Sequence, residues 1–179
     1  MKIVLIRHEK VNMKWEKRYD SRSFDKACRS YDEAPVFAGK CERIHTKGAD
    51  IYVSSLSRTK ETAEKLFGEK KFIATKLLDE VPMTSFTDTK REYPAGLWSF
   101  MARIQWYFQK KRQTEIRRDT IRRSKELIAY LEEKHRDCYC VTHGFFMITL
   151  IKEMKKQGYR AEKSKGFGFS NLEQIVMTK

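Results

Sequence analysis

The chain is short of several things. Its 179 residues include only three prolines and eight glycines, which excludes collagen-like and linker-like classes. There are four cysteines, at Cys28, Cys41, Cys138 and Cys140. None forms a C-x-x-C pair, and they do not read as a disulfide framework. No apolar stretch approaches the roughly 20 residues that a membrane-spanning helix needs. The opening run Ile3-Val4-Leu5-Ile6 stops at Arg7, too short for a signal peptide and without a small-residue cleavage site. These absences lead us to expect a cytoplasmic protein with reduced thiols. Acidic residues are also scarce: 24 Asp and Glu stand against 38 Lys and Arg, a formal charge of +14.

What is present is a core. Hydrophobic residues make up 40% and aromatic residues 12%, too much for a disordered chain. The length suits one domain over 1–179. The basic balance calls for an acidic partner: a phosphorylated substrate, nucleic acid or an anionic membrane surface. None of the usual nucleic-acid motifs is visible, so no nucleic-acid partner is expected.

Short aliphatic and β-branched runs mark strands at Ile3–Ile6, Ile51–Val53, Phe72–Ala74, Cys138–Val141 and Leu172–Met177. Such continuous runs suit strands covered on both faces. Helical segments fall between them. Thr59–Phe67 has Ser57 as N-cap candidate and Gly68 as stop. Glu115–His135 has Thr114 as N-cap candidate. Between Gly144 and Gly158, the residues Met147, Leu150, Ile151 and Met154 form one apolar stripe. Alternating strands and helices predict an α/β fold: three layers, with a mostly parallel sheet flanked by helices. The segment from about 81 to 113 fits poorly and reads as a helical cap insertion. Its Leu97–Phe108 stretch is very apolar, and Lys110, Lys111 and Arg112 follow it.

Ligands of open α/β sheets bind outside the carboxyl ends of the strands. Those ends carry Arg7-His8, then Ser54-Ser55-Leu56-Ser57-Arg58, then Thr142-His143-Gly144. Leu77-Leu78-Asp79-Glu80 follows the Phe72 run. Two guanidiniums offer forked donors that match phosphate oxygens. A helix N-terminus adds backbone N–H groups aimed at an anion. A neutral imidazole can attack phosphorus and hold the group covalently.

Ile6-Arg7-His8, the block Tyr52-Val53-Ser54-Ser55-Leu56-Ser57-Arg58-Thr59-Lys60-Glu61-Thr62-Ala63, Glu80, and Val141-Thr142-His143-Gly144 together resemble the histidine phosphatase superfamily, which includes the phosphoglycerate mutases. The motifs occur in the family's order. The resemblance implies a phosphoglycerate mutase-like fold and hydrolysis of phosphate monoesters. It implies that His8 is the nucleophile and that Arg7, Arg58 and His143 bind the phosphoryl group. Glu80 would be the general acid and then the base. No metal or other cofactor is implied, and the expected partner is a phosphorylated small molecule. The alternatives are a phosphomutase of the same superfamily and a basic membrane- or nucleic-acid-binding module with an inactive site.

The family's usual opening is R-H-G-x-T-x-x-N. Here Glu9 replaces the glycine, Val11 the threonine and Lys14 the asparagine. Asn12 is the candidate for the missing polar contact. Glu9 is expected to turn toward solvent or an arginine. Cys138, Cys140 and His143 are read as core and site residues rather than metal ligands. His45 and His135 are read as surface residues. The Leu97–Phe108 helix has three readings: packing of the cap, a lid whose aromatics meet the substrate, or an interfacial helix bringing 97–112 to an anionic membrane.

Overall fold

Ile3 to Ile6 is apolar at every position because both faces of its strand are covered. Ile3 and Leu5 join a core with Leu127, Ile128, Met147 and Leu150. Val4 and Ile6 join another with Ala63, Leu66 and Phe67. Successive side chains of a strand point to opposite faces, so this one run binds two helical layers. It is the first strand of a computed structural model that describes residues 1–39, 41–68, 70–162 and 170–179.

In chain order the elements are β1 (Lys2–Arg7), β2 (Arg18–Tyr19), α1 (Ser21–Glu33), β3 (Asp50–Val53), α2 (Ser57–Phe67), β4 (Ile73–Ala74), β5 (Tyr93–Pro94), α3 (Ala95–Tyr107), α4 (Arg117–Lys134), β6 (Cys138–Thr142), α5 (Gly144–Lys156), β7 (Arg160–Ala161) and β8 (Gln174–Thr178). Six strands form one sheet in the order β4-β3-β6-β1-β8-β7. The pairs β4–β3, β3–β6 and β6–β1 are parallel. The pairs β1–β8 and β8–β7 are antiparallel. Helices α4 and α5 pack on one face and α2 on the other. This is the expected α/β arrangement with a mostly parallel sheet. Among the described residues, no helix is long and apolar enough to cross a membrane.

Four local expectations need correction. Ser57 is the first residue of α2, and Leu56 is its cap, with no side-chain bond of its own. The Leu56 N–H is instead taken by Ser54 Oγ at 3.2 Å. Helix α4 begins at Arg117 with Ile116 at the cap, rather than at Glu115 after a Thr114 cap. The residues before it are pulled into other contacts: Gln113 bonds the backbone of Thr84, and Glu115 pairs with Arg123. The last strand starts at Gln174, because Leu172 has φ +60° and leaves the extended region. Finally, α1 is absent from the expectations above. Asp20 and Ser23 form a reciprocal capping box that starts it. Phe24, Ala27, Cys28 and Tyr31 then recur at helical spacing.

Helices α1 and α3 meet in a smaller aromatic core. Tyr19, Phe24, Ala27 and Trp98 are buried there, with Trp15, Phe86 and Tyr93 packed around them. Trp98 stacks on Phe24 at 5.4 Å between ring centroids, and its Nε1–H donates to the Tyr19 carbonyl at 2.8 Å. Trp15 and Cys28, packed against this cluster, reach the space beside Arg58 and Glu80.

Candidate active site

The register of the central strands brings the sequence motifs together. Arg7 at the end of β1 lies opposite Thr142 at the end of β6. His8 N–H extends the ladder to the Thr142 carbonyl at 2.9 Å, and Ser54 N–H bonds the Val141 carbonyl at 3.3 Å. The first residues past three neighbouring strands are therefore His8, Ser54 and His143. The His8 and His143 ring centroids are 5.0 Å apart. Thr62 on α2 helps hold the turn, accepting from Glu9 N–H at 3.0 Å and donating to the Arg58 carbonyl at 2.6 Å.

The tautomers follow from the hydrogen bonds. His8 Nδ1 lies 2.6 Å from the Glu9 carbonyl oxygen. A carbonyl only accepts, so Nδ1 carries the proton and Nε2 keeps its lone pair. His143 is held the other way round. Arg58 Nε donates to its Nδ1 at 3.2 Å, so Nε2 carries the proton and donates to Ser54 Oγ at 2.8 Å. Ser54 Oγ in turn lies 3.0 Å from Thr59 Oγ1. His143 and Arg58 are completely buried.

Burial and positive neighbours keep both imidazoles neutral. Desolvation, then the charge of Arg58, then that of Arg7 lower the His8 pKa to about 3, against a raising contribution from the Glu9 carbonyl. His143 is held well below its ordinary value by burial, Arg58, His8, Arg123 and Arg7. A neutral imidazole with a lone pair on Nε2, set among guanidiniums, is a nucleophile suited to an anionic electrophile.

Arg7 lies against the start of α5. A side chain at Gly144 would bring a Cβ within 3.1 Å of Arg7 Nε and 3.3 Å of Cζ. Glycine here gives the guanidinium room. The two neighbouring carboxylates have separate partners. Asp79 accepts from Ser55 N–H and Ser55 Oγ, both at 2.7 Å. Glu80 accepts from Phe146 N–H at 2.9 Å and Phe145 N–H at 3.3 Å, at the N-terminus of α5. Thr142 Oγ1 donates to the Leu78 carbonyl at 2.6 Å and ties the Glu80 loop to β6.

Glu80 and Arg58 share the wall of a cavity of about 660 Å³, whereas Arg7, His8 and His143 are not among its lining residues and His8 is only 3% exposed. Its other walls include Trp15 and Tyr31, Val81 to Met83, and Ser99 and Arg103 of α3. Helix α3 thus offers the cavity Ser99 and Arg103, while none of the aromatics of the Leu97–Phe108 stretch, Trp98 and Trp106 included, lines it. Asn12 does not line the cavity either. Val11 is buried and pairs with Val36, so Asn12 alternates outward and is exposed, its N–H bonded to the Pro35 carbonyl. Glu9 turns its carboxylate back on Lys10 N–H at 2.8 Å and is absent from the cavity wall.

The structure adds residues that the sequence reading lacks. Asp32 of α1 pairs with Arg58, with Oδ1 3.0 Å from Nη1. The Arg58 guanidinium also lies over the Tyr31 ring at 5.2 Å. Arg103 donates to the Val81 carbonyl at 3.0 Å and lies over the Phe145 ring at 3.7 Å. Arg123 bonds the carbonyls of Leu77 and Asp79 and pairs with Glu115, bracing the Glu80 loop. Ser54 lay within the recognised block, and its Oγ was the signal available. Tyr31 and Asp32 had none without α1. Cys138 and Cys140 belong to the α4/α5 core, and a hydrogen bond with Cys138 plus burial hold the Cys140 thiol protonated. Among the described residues, no cluster of three or more His, Cys, Asp or Glu side chains is arranged for a metal.

Comparison with known proteins identifies the family and the fold. The model of the histidine phosphatase superfamily (branch 1) matches residues 3–177. Comparison with curated protein sequences gives no match. Among solved structures, a phosphoserine phosphatase mutant from Entamoeba histolytica in complex with phosphoserine is similar at TM-score 0.57 and 15% identity, covering 98% of this chain and 89% of that one. A mycobacterial glucosyl-3-phosphoglycerate phosphatase is similar at TM-score 0.58 and 16% identity, covering 98% and 88%. A chain from Escherichia coli described as an alpha-ribazole-5'-P phosphatase is similar at TM-score 0.53 and 16% identity, covering 86% and 79%.

Proposed function

Since the chain belongs to the histidine phosphatase superfamily, we propose that it hydrolyses phosphate monoesters of small molecules through a phosphohistidine on His8. The observation that carries this is the His8 ring itself: Nδ1 tied to the Glu9 carbonyl, Nε2 with its lone pair, and a pKa lowered to about 3.

In this reading the Nε2 lone pair attacks phosphorus and the P–O ester bond breaks. The bonding electrons leave with the alcohol oxygen, which takes a proton from Glu80. Water then attacks the phosphoryl group, giving its proton to the Glu80 carboxylate. The P–N bond breaks and its electrons return to Nε2. Arg7 and Arg58 hold the phosphoryl oxygens and stabilise their developing charge, and His143 joins them by turning its Nε2–H from Ser54 Oγ to a phosphoryl oxygen. Arg58 Nη1 now holds the Asp32 carboxylate, so an arriving phosphate exchanges one anion for another there. Residues 81–113 act as a cap that closes one side of the cavity. The four free cysteines suit the reducing cytoplasm.

Rapid quenching after mixing with a radiolabelled phosphate ester tests the proposal. The expected result is an acid-labile label on His8, absent from His8→Ala, whose turnover falls on the order of 10⁴-fold or more. A phosphomutase would pass the label to a second alcohol rather than to water. A basic binding module with an inactive site would form no adduct, and wild type and variant would hydrolyse p-nitrophenyl phosphate equally.

A further inference from the structure

Helix α3 is apolar on two sides. Trp98, Ala102 and Trp106 face inward and are buried. On the other side Phe100 is 61% exposed, Tyr107 52% and Phe108 65%. A helix that is apolar all round has its outer face covered in the working molecule. Beside these rings an apolar groove of about 370 Å³ opens between α3, the start of α4, and α5. Ile104, Ile121, Phe145 and Ile148 line it.

The surround of this face is cationic. Arg103, Arg117 and Lys152 line the groove. Lys110 and Lys111 follow α3 and are exposed. Arg117 lies over the Tyr107 ring at 4.6 Å. The one carboxylate in the groove wall, Glu153, is buried and paired with Lys156 at 2.6 Å.

These features select among occupants. A second copy of the chain would bring the same cationic rim against itself, and like charges disfavour that contact. An extended peptide needs partners for its backbone groups. The groove is built from helices, whose own backbone bonds are satisfied within the helix, and it offers no strand edge for a peptide to extend. An acyl chain has no such need. Protruding aromatics beside lysines and arginines match the boundary between lipid headgroups and acyl chains.

We propose that the outer face of α3, with its flanking cations, docks the protein onto an anionic phospholipid bilayer. Phe100 and Phe108 enter the acyl boundary, and Lys110, Lys111, Arg117 and Lys152 meet the lipid phosphates. The proposal is independent of the chemistry at His8.

Vesicle flotation of the full chain tests it, with pure phosphatidylcholine compared to phosphatidylcholine carrying one part in four phosphatidylglycerol. The expected result is binding to the anionic vesicles only, weakened by high salt. Lys110→Gln with Lys111→Gln should lose affinity by about five-fold per removed charge at low salt. Phe100→Ser with Phe108→Ser should bind more weakly at every salt concentration. Both variants should keep wild-type turnover of p-nitrophenyl phosphate, or wild-type thermal melting if the chain is inactive. In a Phe100→Trp variant, acyl-brominated anionic vesicles should quench the new indole.

Equal vesicle binding by wild type and the Phe100/Phe108 variant would overturn the proposal, since attraction would then come from net charge alone. Absence of vesicle binding at low salt would overturn it too. Self-association that the phenylalanine variant abolishes, without vesicle binding, would assign the face to a second copy. Binding of an acidic protein without vesicle binding would assign it to that partner.

Discussion

The strand-end cluster and the cap above it are built on different principles. At the strand ends, His8, Ser54 and His143 are placed by the register of three adjacent parallel strands. Ser54 and His143 then bond one another, and the Glu9 carbonyl holds the His8 ring. The proposed cap, residues 81–113, contributes one strand, β5, which pairs with β2. It is held by side chains reaching backbone carbonyls: Arg103 to Val81, Gln105 to Phe86, Arg112 to Ser85 and Gln113 to Thr84. In the proposed function the first region does the chemistry and the second walls one side of the space around it. Substitutions should therefore divide by region, with chemistry lost at the strand ends and stability lost in the cap.

Glu80→Gln gives the largest effect expected of that division. With an alkyl phosphate, whose leaving oxygen needs a proton, turnover should fall about 10²–10⁴-fold. With p-nitrophenyl phosphate the first step should change far less, because that leaving group departs without protonation. Burst kinetics on both substrates separate the steps. Equal losses in the first step would make Glu80 a structural partner of α5 and leave the general acid unassigned.

Trp98→Ala addresses the other region. It removes the ring stacked on Phe24 and the indole donor to the Tyr19 carbonyl. Large aromatic truncations in a core cost about 3–5 kcal/mol, so the urea midpoint should fall substantially. If the regions are separable, the His8 adduct should still form in the fraction that remains folded. A variant that keeps its stability would mean that the aromatic cluster repacks, and the cap would be more adaptable than its burial implies.

Acidification probes the strand ends through their burial. Unfolded His8 titrates near 6.5 and folded His8 near 3. Between those values the unfolded chain binds the extra proton, so the stabilisation is present above 6.5 and is lost as pH falls toward 3. Each such histidine costs about 1.4 kcal/mol per pH unit once well inside that window. His143 shifts in the same direction. Urea unfolding across the acid range should show a shallower loss of stability in His8→Ala than in wild type. Parallel profiles would mean that His8 gains a proton in the folded state too.

The division also explains what was legible in the sequence. The strand-end groups could be read because β-branched runs announce buried strands and each run stops at a polar residue with chemistry to offer. Ile6-Arg7-His8 and Val141-Thr142-His143 need only the strand rule to be placed together. The direction of β8 could not be read, since apolar periodicity is the same for parallel and antiparallel neighbours. Asp20 and Ser23 mark the start of α1, but the charged residues between its apolar positions mask the stripe. Missing α1 hid Tyr31 and Asp32, because contacts between distant segments leave no local signature. The outward direction of Asn12 was hidden for a related reason: the burial of Val11 decides it, and that depends on Val36 across a bridge.

Asp32 is where the two regions touch, and its replacement is the finest test of their separation. Its carboxylate lies on α1, which shares the aromatic core with α3, and is 44% exposed; the Arg58 guanidinium it meets is 1% exposed and belongs to the strand-end cluster. If phosphate must take its place on Arg58, Asp32→Asn removes a competing charge while keeping an oxygen acceptor for Nη1. Half-exposed ion pairs contribute up to about 1 kcal/mol, so competitive inhibition by inorganic phosphate should tighten by up to about five-fold. The KM for p-nitrophenyl phosphate should move the same way, and kcat should change little. Weaker phosphate binding in the variant would reverse the assignment: Asp32 would then hold Arg58 in position for the phosphoryl group, and α1 would take part in the chemistry beside it.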